Sequence, residues 1–363
     1  IDEKFSSFKT KPVPAFIAAK ENTITKPIVK DVYGPDAEYL LMGFRCAGAG
    51  SKDADLITLI NYILSNGTAG LIDLNLKQQQ KVLDAGCFPY LMKDYSSHIF
   101  YANAKQGQTL EEAKNLVQSQ LELLKKGEFP DWLLPAIINN MKLEQIKKFE
   151  DNDNRASTLK DAFILGQTWQ NTVNWIERLS KITKQEVMAF AKKNYADNYV
   201  VVYKHTGEDK NVMKVVKPAI TPVQVNRDNQ SDFVKMIANS NPKNIEPVFI
   251  DYKKDIKNFT VKNGIQVYYN ENTENKTFNL YYVFDMGTNN ERKYGIAIDY
   301  LSYLGTSKYT PAELKQEFYK IGCSFGVSNS VDQVHVSLSG LTENFEKGIK
   351  LFEHLLTDAQ PNR

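Results

Sequence analysis

Histidine and cysteine are scarce in this sequence. Four histidines leave little material for a multi-histidine metal site, and three cysteines cannot build a disulfide framework. Neither sign of charge is in excess: 45 Lys and Arg face 43 Asp and Glu, a formal net charge of +2. Recognition of nucleic acid needs a basic surplus or stripe to neutralise phosphates. The near balance argues against that partner, and against a polybasic membrane tether. Long apolar runs are missing too. The longest stretches, such as Leu56 to Leu64, are too short and too interrupted to span a bilayer. What is present suits ordinary globular cores: 363 residues, 42% hydrophobic and 11% aromatic, enough for two or three domains.

The stretch 1–30 reads as a connector around Pro12 and Pro14. Asp36 to Cys46 reads as a strand, and Asp53 to Asn66 as a helix with Leu56, Leu59, Ile60, Ile63 and Leu64 at helical spacing. Gly86 to Ala104 reads as strands. Thr109-x-x-Glu112 is a capping box whose helix stops at Gly127. Asp131 to Glu150 and Ala156 to Leu179 read as helices, Thr183-x-x-Glu186 caps another, and Tyr199 to Tyr203 is a strand. Residues 208–250 turn to Lys, Pro, Asn and Gln and read as a linker. Beyond it, Asn263-Gly264 marks a hairpin turn. Phe278 to Met286 is a strand, Gly295 to Gly305 and Pro311 to Ile321 are helices, Val327 to Leu338 contains a strand, and Phe345 to Leu356 is a helix. The chain starts at Ile1 without Met or a signal-peptide pattern and stops at Arg363 directly after that helix. It reads as a piece of something longer, and its compartment is not readable.

The two sides of the linker resemble each other. Ile60-Asn-Tyr62-Ile-Leu-Ser-Asn-Gly67-Thr68 lines up with Ile298-Asp-Tyr300-Leu-Ser-Tyr-Leu-Gly305-Thr306, an offset of 238. Gly86-Cys87 lines up with Gly322-Cys323 at 236, and Leu110 to Val117 with Phe345 to Phe352 at 235. Three blocks at a nearly constant offset point to a duplicated unit.

These residues resemble the insulinase and pitrilysin family of zinc metallopeptidases, the inverzincins, which includes mitochondrial processing peptidase. Residues 1–207 look like a second, non-catalytic domain through Gly43-Phe44-Arg45, Ile63-Leu64, the helix end Leu123 to Glu128 and the turn Asp153 to Ala156. Residues 208–254 would be an interdomain linker. Residues 255–363 look like the start of a third domain through Asn263-Gly264-Ile265-x-Val267, Met286-Gly287 and Gly305-Thr306. The resemblance implies an α+β fold of repeated domains, each a mainly antiparallel mixed sheet covered by helices. In catalytic members the helix before Gly-Thr carries H-x-x-E-H; both His and a later Glu bind zinc, and the motif Glu is the general base. Here the motif positions read Ile296, Asp299 and Tyr300. The resemblance therefore implies no catalytic residue, no cofactor and no metal ligand in this chain. Zinc is expected in a catalytic domain before Ile1.

Other candidates have plainer readings. Lys350-Leu-Phe-Glu353-His354 is one residue from the zinc motif but reads as an exposed helix face. His98 and His335 lie in strands without ligand partners at metal spacing, and His205 reads as solvated. Cys46, Cys87 and Cys323 are dispersed and behave as small hydrophobes. Gly48-Ala-Gly50-Ser-Lys52 lacks the rest of a nucleotide loop. Asp151 to Arg155 reads as a capped helix turn rather than a calcium loop, and Trp132, Trp169 and Trp175 read as core. The expectation is a non-catalytic segment of an insulinase-like zinc endopeptidase, forming chamber wall and the link between halves. Its expected partners are the missing catalytic half of the same polypeptide and extended peptide substrates, with no nucleic acid and no membrane span. The alternative is part of an inactive family member acting as scaffold or peptide binder.

Overall fold

The computed structural model describes residues 5–9, 11–209, 216–222, 225 and 228–361. Ile1, Arg363 and positions 210–215, 223–224 and 226–227 of the expected linker lie outside the described residues. The chain divides into two compact units, one of Ile1–Glu208 with Asn275–Arg363, the other of Asp209–Glu274.

The first unit opens with β1 (Ile28–Gly34), β2 (Tyr39–Ala47) and α1 (Lys52–Leu64). A π-helical turn, Asp73–Lys77, leads to the hairpin of β3 (Asp84–Tyr90) and β4 (Tyr95–Asn103). Six helices follow: α2 (Leu110–Lys126), α3 (Leu133–Lys148), α4 (Asn152–Ile164), α5 (Trp169–Val173), α6 (Trp175–Ser180) and α7 (Lys184–Asn194). β5 (Tyr199–Thr206) closes this half. The sheet order is β1-β5-β2-β4-β3, antiparallel except for β1 beside β5. Alternation decides which face is buried. Leu40, Met42 and Phe44 of β2, and His98, Phe100 and Ala102 of β4, lie under the helices.

Both capping boxes form: Thr109 and Glu112 open α2, Thr183 and Glu186 open α7, each by reciprocal hydrogen bonds. Gly127 ends α2 in the left-handed conformation at φ 75°. The helix expected over Ala156–Leu179 is instead three. Gly166, at φ 67°, follows the end of α4, and Thr168 caps α5 afresh.

The second unit holds α8 (Asp232–Ala238) and the hairpin of β6 (Lys257–Thr260) and β7 (Gln266–Tyr269). Its turn places Asn263 at φ 64° and Gly264 at φ 79°, which is why Asn-Gly stands there.

Back in the first unit come β8 (Thr277–Phe284), α9 (Tyr294–Tyr300), β9 (Gly305–Thr306) and α10 (Pro311–Lys320). Then follow β10 (Cys323–Asn329), β11 (Val334–Leu341), α11 (Phe345–Thr357) and β12 (Ala359–Gln360). The sheet order β10-β11-β8 repeats β3-β4-β2. The register repeats too. Leu40 faces Ala102 and Phe44 faces His98; at the offset of the Ile60 and Ile298 blocks, Phe278 faces Gly340 and Tyr282 faces Val336. Cys87 faces Phe100, and Phe325 faces Leu338. The pairing of Cys87 with Cys323 read from the sequence is thus corrected to Phe325, the next position on the same face of the strand. The final helix sits at a smaller offset because residues 342–344 span a connection that takes residues 104–109 in the first copy.

The copies meet through α3 and α10. Asn140 Nδ2 donates to the carbonyl of Tyr319 at 2.7 Å, Lys142 bridges Glu343 at 3.0 Å, and the Lys320 ammonium lies 4.7 Å from the Trp132 ring centroid. Tyr319 packs onto the first copy's core.

Candidate functional site

The degenerate motif lies on α9. Ile296 is 78% exposed and Tyr300, one turn on, 47% exposed. Asp299 is exposed as well, and its carbonyl accepts from Ser302 Oγ at 2.9 Å. These residues do not fit zinc. An isoleucine has no lone pair to offer, and among the described residues no group of three or more His, Cys, Asp or Glu could hold a metal ion.

The remaining candidates are drawn into packing. His354 Nε2 lies 3.0 Å from Thr306 Oγ1, and Glu353 accepts from the Tyr282 hydroxyl at 3.1 Å. His335 contacts Gln333 at 3.2 Å. His98 is fully buried, its Nδ1 2.7 Å from the Tyr195 hydroxyl; burial holds its imidazole down at about 3. Burial also pushes the Cys46 thiol up to about 12 and that of Cys323 to about 11, and raises Cys87, so none is an activated nucleophile. Gly48 allows a close approach, since a Cβ there would meet the Lys93 carbonyl oxygen at 2.0 Å. Asp151 caps α4 by accepting from the Asn154 amide at 2.8 Å.

Two sequence readings change. His205 is not simply solvated: Nε2 lies 2.7 Å from Asp31 Oδ1, Nδ1 lies 3.7 Å from Glu38 Oε1, and the ring stacks on Tyr33. β1 and the β1–β2 turn bring these carboxylates to β5, although Asp31 and His205 are far apart in the sequence. Trp169 is not core but 48% exposed, because the break at Gly166 starts a new helix there.

The sheet face away from the helices carries no short motif. Ile28, Val200, Gly43, Ile99 and Phe88 form one row across all five strands. Lys30, Val202, Leu41, Tyr101 and Gly86 form the next. Ile28, Leu41 and Phe88 are exposed, and the Tyr101 ring lies over Gly86, where a Cβ would approach it to 2.8 Å. The signal was legible in part: Leu41 of β2 and Ile99 and Tyr101 of β4 stand at odd positions beside the buried apolar residues at even ones. The matching face of the second copy is mixed: Ser324, Ser328, Ser337 and Ser339, with a hydroxyl contact of 3.2 Å between Ser324 and Ser339, lie beside the exposed Tyr281 and Val283 of β8. Neither face carries a nucleophile–base pair. The first can take up apolar side chains, and the second can exchange hydrogen bonds.

Residues 1–141 match the family model described as the peptidase M16 inactive domain. No curated protein matches the sequence. Among solved structures, a protease from Helicobacter pylori is 18% identical with a TM-score of 0.52, over 56% of this chain and 51% of that one. The periplasmic protease PqqL from Escherichia coli is 13% identical, TM-score 0.45, over 99% of this chain and 43% of that one. The inactive peptidase domain of a putative zinc protease from Bordetella parapertussis is 16% identical, TM-score 0.42, over 47% and 93%. The chain thus spans about half the length of the Helicobacter protease, whose likeness shows a shared fold. The resemblance read from the sequence and the match over residues 1–141 agree: that stretch is similar to the peptidase M16 inactive domain.

Proposed function

We propose that this chain is the non-catalytic wall of an M16 zinc endopeptidase. Residues 1–207 would form one wall domain, residues 208–254 the link between halves, and residues 255–363 the start of a third domain whose motif positions Ile296, Asp299 and Tyr300 have lost zinc binding. Zinc and the general base would belong to a catalytic half of the same polypeptide, and the substrates would be extended peptides. The observation that carries this reading is the open apolar row of Ile28, Val200, Ile99 and Phe88, beside the match of residues 1–141 to the M16 inactive domain. An unfolded peptide exposes apolar side chains that such a face can shelter, at about 25 cal/mol per Å² removed from water.

The test uses the 363-residue chain alone. After a chelator wash, metal analysis should find no stoichiometric zinc, and a quenched peptide should stay uncleaved. A labelled unfolded peptide should bind, and Ile99→Glu should weaken that binding. Chelator-sensitive cleavage by the homogeneous chain would sink the non-catalytic reading. Binding indifferent to Ile99→Glu would sink the role of the face.

A further inference from the structure

β1 is an edge strand laid on β5, and six of its seven residues are exposed. The last residues of β5 add a side-chain grip to the ladder. The parallel register sets Tyr33 beside His205, with Asp31 two residues earlier on the same face of β1. The Tyr33 and His205 rings stack with their centroids 5.2 Å apart. Nε2 of His205 meets Asp31 Oδ1 at 2.7 Å, and Nδ1 meets Glu38 Oε1, from the β1–β2 turn, at 3.7 Å. Next along that face of β5, the Tyr203 hydroxyl is bonded to Glu111 of α2, which is paired in turn with Lys114 at 2.6 Å. On the opposite face the Lys204 ammonium donates to the carbonyl oxygens of Gly34, Asp36 and Ala37.

A carboxylate at each ring nitrogen decides which form of histidine fits. A neutral imidazole carries one N–H. It can donate to Asp31 or to Glu38, and it turns a lone pair toward the other. The imidazolium carries two N–H groups and faces both. The Thr206 amide is a poor substitute donor for Glu38, at 3.4 Å from Oε1. Lys204 grips backbone oxygens and takes no part in this choice.

We propose that His205 is a proton-operated clasp on β1. The imidazolium joins Asp31 and Glu38 to the end of β5. Loss of its proton to water frees one carboxylate and loosens β1, together with the connector that leads into it. Histidine is the side chain that changes charge between about pH 5 and 8. The clasp is closed on the acid side of that range and open on the alkaline side. Its three side chains are partly exposed, so the effect is local, modest and reduced by salt. The Lys204 grip and the buried core under the helices persist in both states.

The test compares the full 363-residue chain with His205→Gln, which offers a side-chain amide in place of the ring and does not titrate. Hydrogen exchange is followed at about pH 6 and about pH 8 and expressed as protection factors, which cancels the intrinsic pH dependence. In the wild type, protection across 29–34 should fall about threefold to fivefold at the higher pH. In His205→Gln it should stay level, and 40–46 and 199–203 should keep theirs in both proteins. The ring-proton signal missing from His205→Gln identifies His205 by NMR. Asp31→Asn and Glu38→Gln should each lower its titration midpoint. Circular dichroism and melting temperature check that every variant folds. Level protection of β1 in the wild type would overturn the proposal. An equal fall in His205→Gln, or one spread over all five strands, would overturn it too. So would a ring titration indifferent to both carboxylate variants.

Discussion

Acidification should unfold the first copy through one side chain. His98 is enclosed by Phe44, Phe100 and Tyr195 and meets no carboxylate, and its Nε2 has no hydrogen-bond partner among the described residues. The folded state therefore keeps the ring neutral down to about 3, while the unfolded chain takes up a proton near 6.5. Between those values the unfolded state binds one more proton, so stability is complete above pH 6.5 and falls as pH drops toward 3. At about 1.36 kcal/mol per pH unit, two units below 6.5 cost about 2.7 kcal/mol, a large share of an ordinary domain's stability. The comparison is with His98→Gln, which keeps a polar partner for the Tyr195 hydroxyl and does not titrate. Urea unfolding from pH 8 to 4.5 can be followed by tryptophan fluorescence, since Trp132, Trp169 and Trp175 all lie in the first copy. Wild type should lose about 2.7 kcal/mol more than the variant over that range. Parallel pH profiles, with a constant difference between the two proteins, would refute the reasoning.

Tyr319 carries a buried hydroxyl without a hydrogen-bond partner at the junction of the copies, among the described residues. Tyr319→Phe should leave stability unchanged or raise it by about 1–3 kcal/mol, read as a higher urea midpoint; a clear loss would mean the hydroxyl is satisfied in solution. The three buried thiols should be silent to a thiol-specific dye at pH 8 in the native protein and react together in denaturant. Rapid labelling of the native protein would contradict their burial.

Local signals were read well because their physics is local. Thr109 and Glu112 satisfy each other's backbone within one turn, and Asn263-Gly264 supplies two positive φ angles in place. Repetition was legible because the same helical pattern recurs at Ile60 and Ile298. Strand register was not, because it is set by partners far away. Gly-Cys at 86 and at 322 invites alignment, yet hydrogen bonding to β4 and β11 fixes Phe325 as the counterpart of Cys87. The parallel seating of β1 on β5 and the carboxylates around His205 depend on contacts between opposite ends of the first copy, which no window of sequence reports. The exposed sheet face carries apolar side chains in register rather than metal ligands or nucleophiles, and no short motif marks such a surface.

The position of β5 sets a timetable for the chain. Ile28 pairs with Val200, so β1 emerges with most of the first copy still to be made before the strand it must lie beside. At about 5–20 residues per second of synthesis, the wait is on the order of ten to thirty seconds. For that time β1 has no neighbour, and the outer edge of β2 is bare. The helical stretch from α2 to α7 can form meanwhile from local contacts, whereas closing the sheet must wait for Thr206 to leave the ribosome. A nascent chain stalled before that residue would present the first copy with the same uncovered edge that β8 presents in the second. Stray strands and chaperones would find it there.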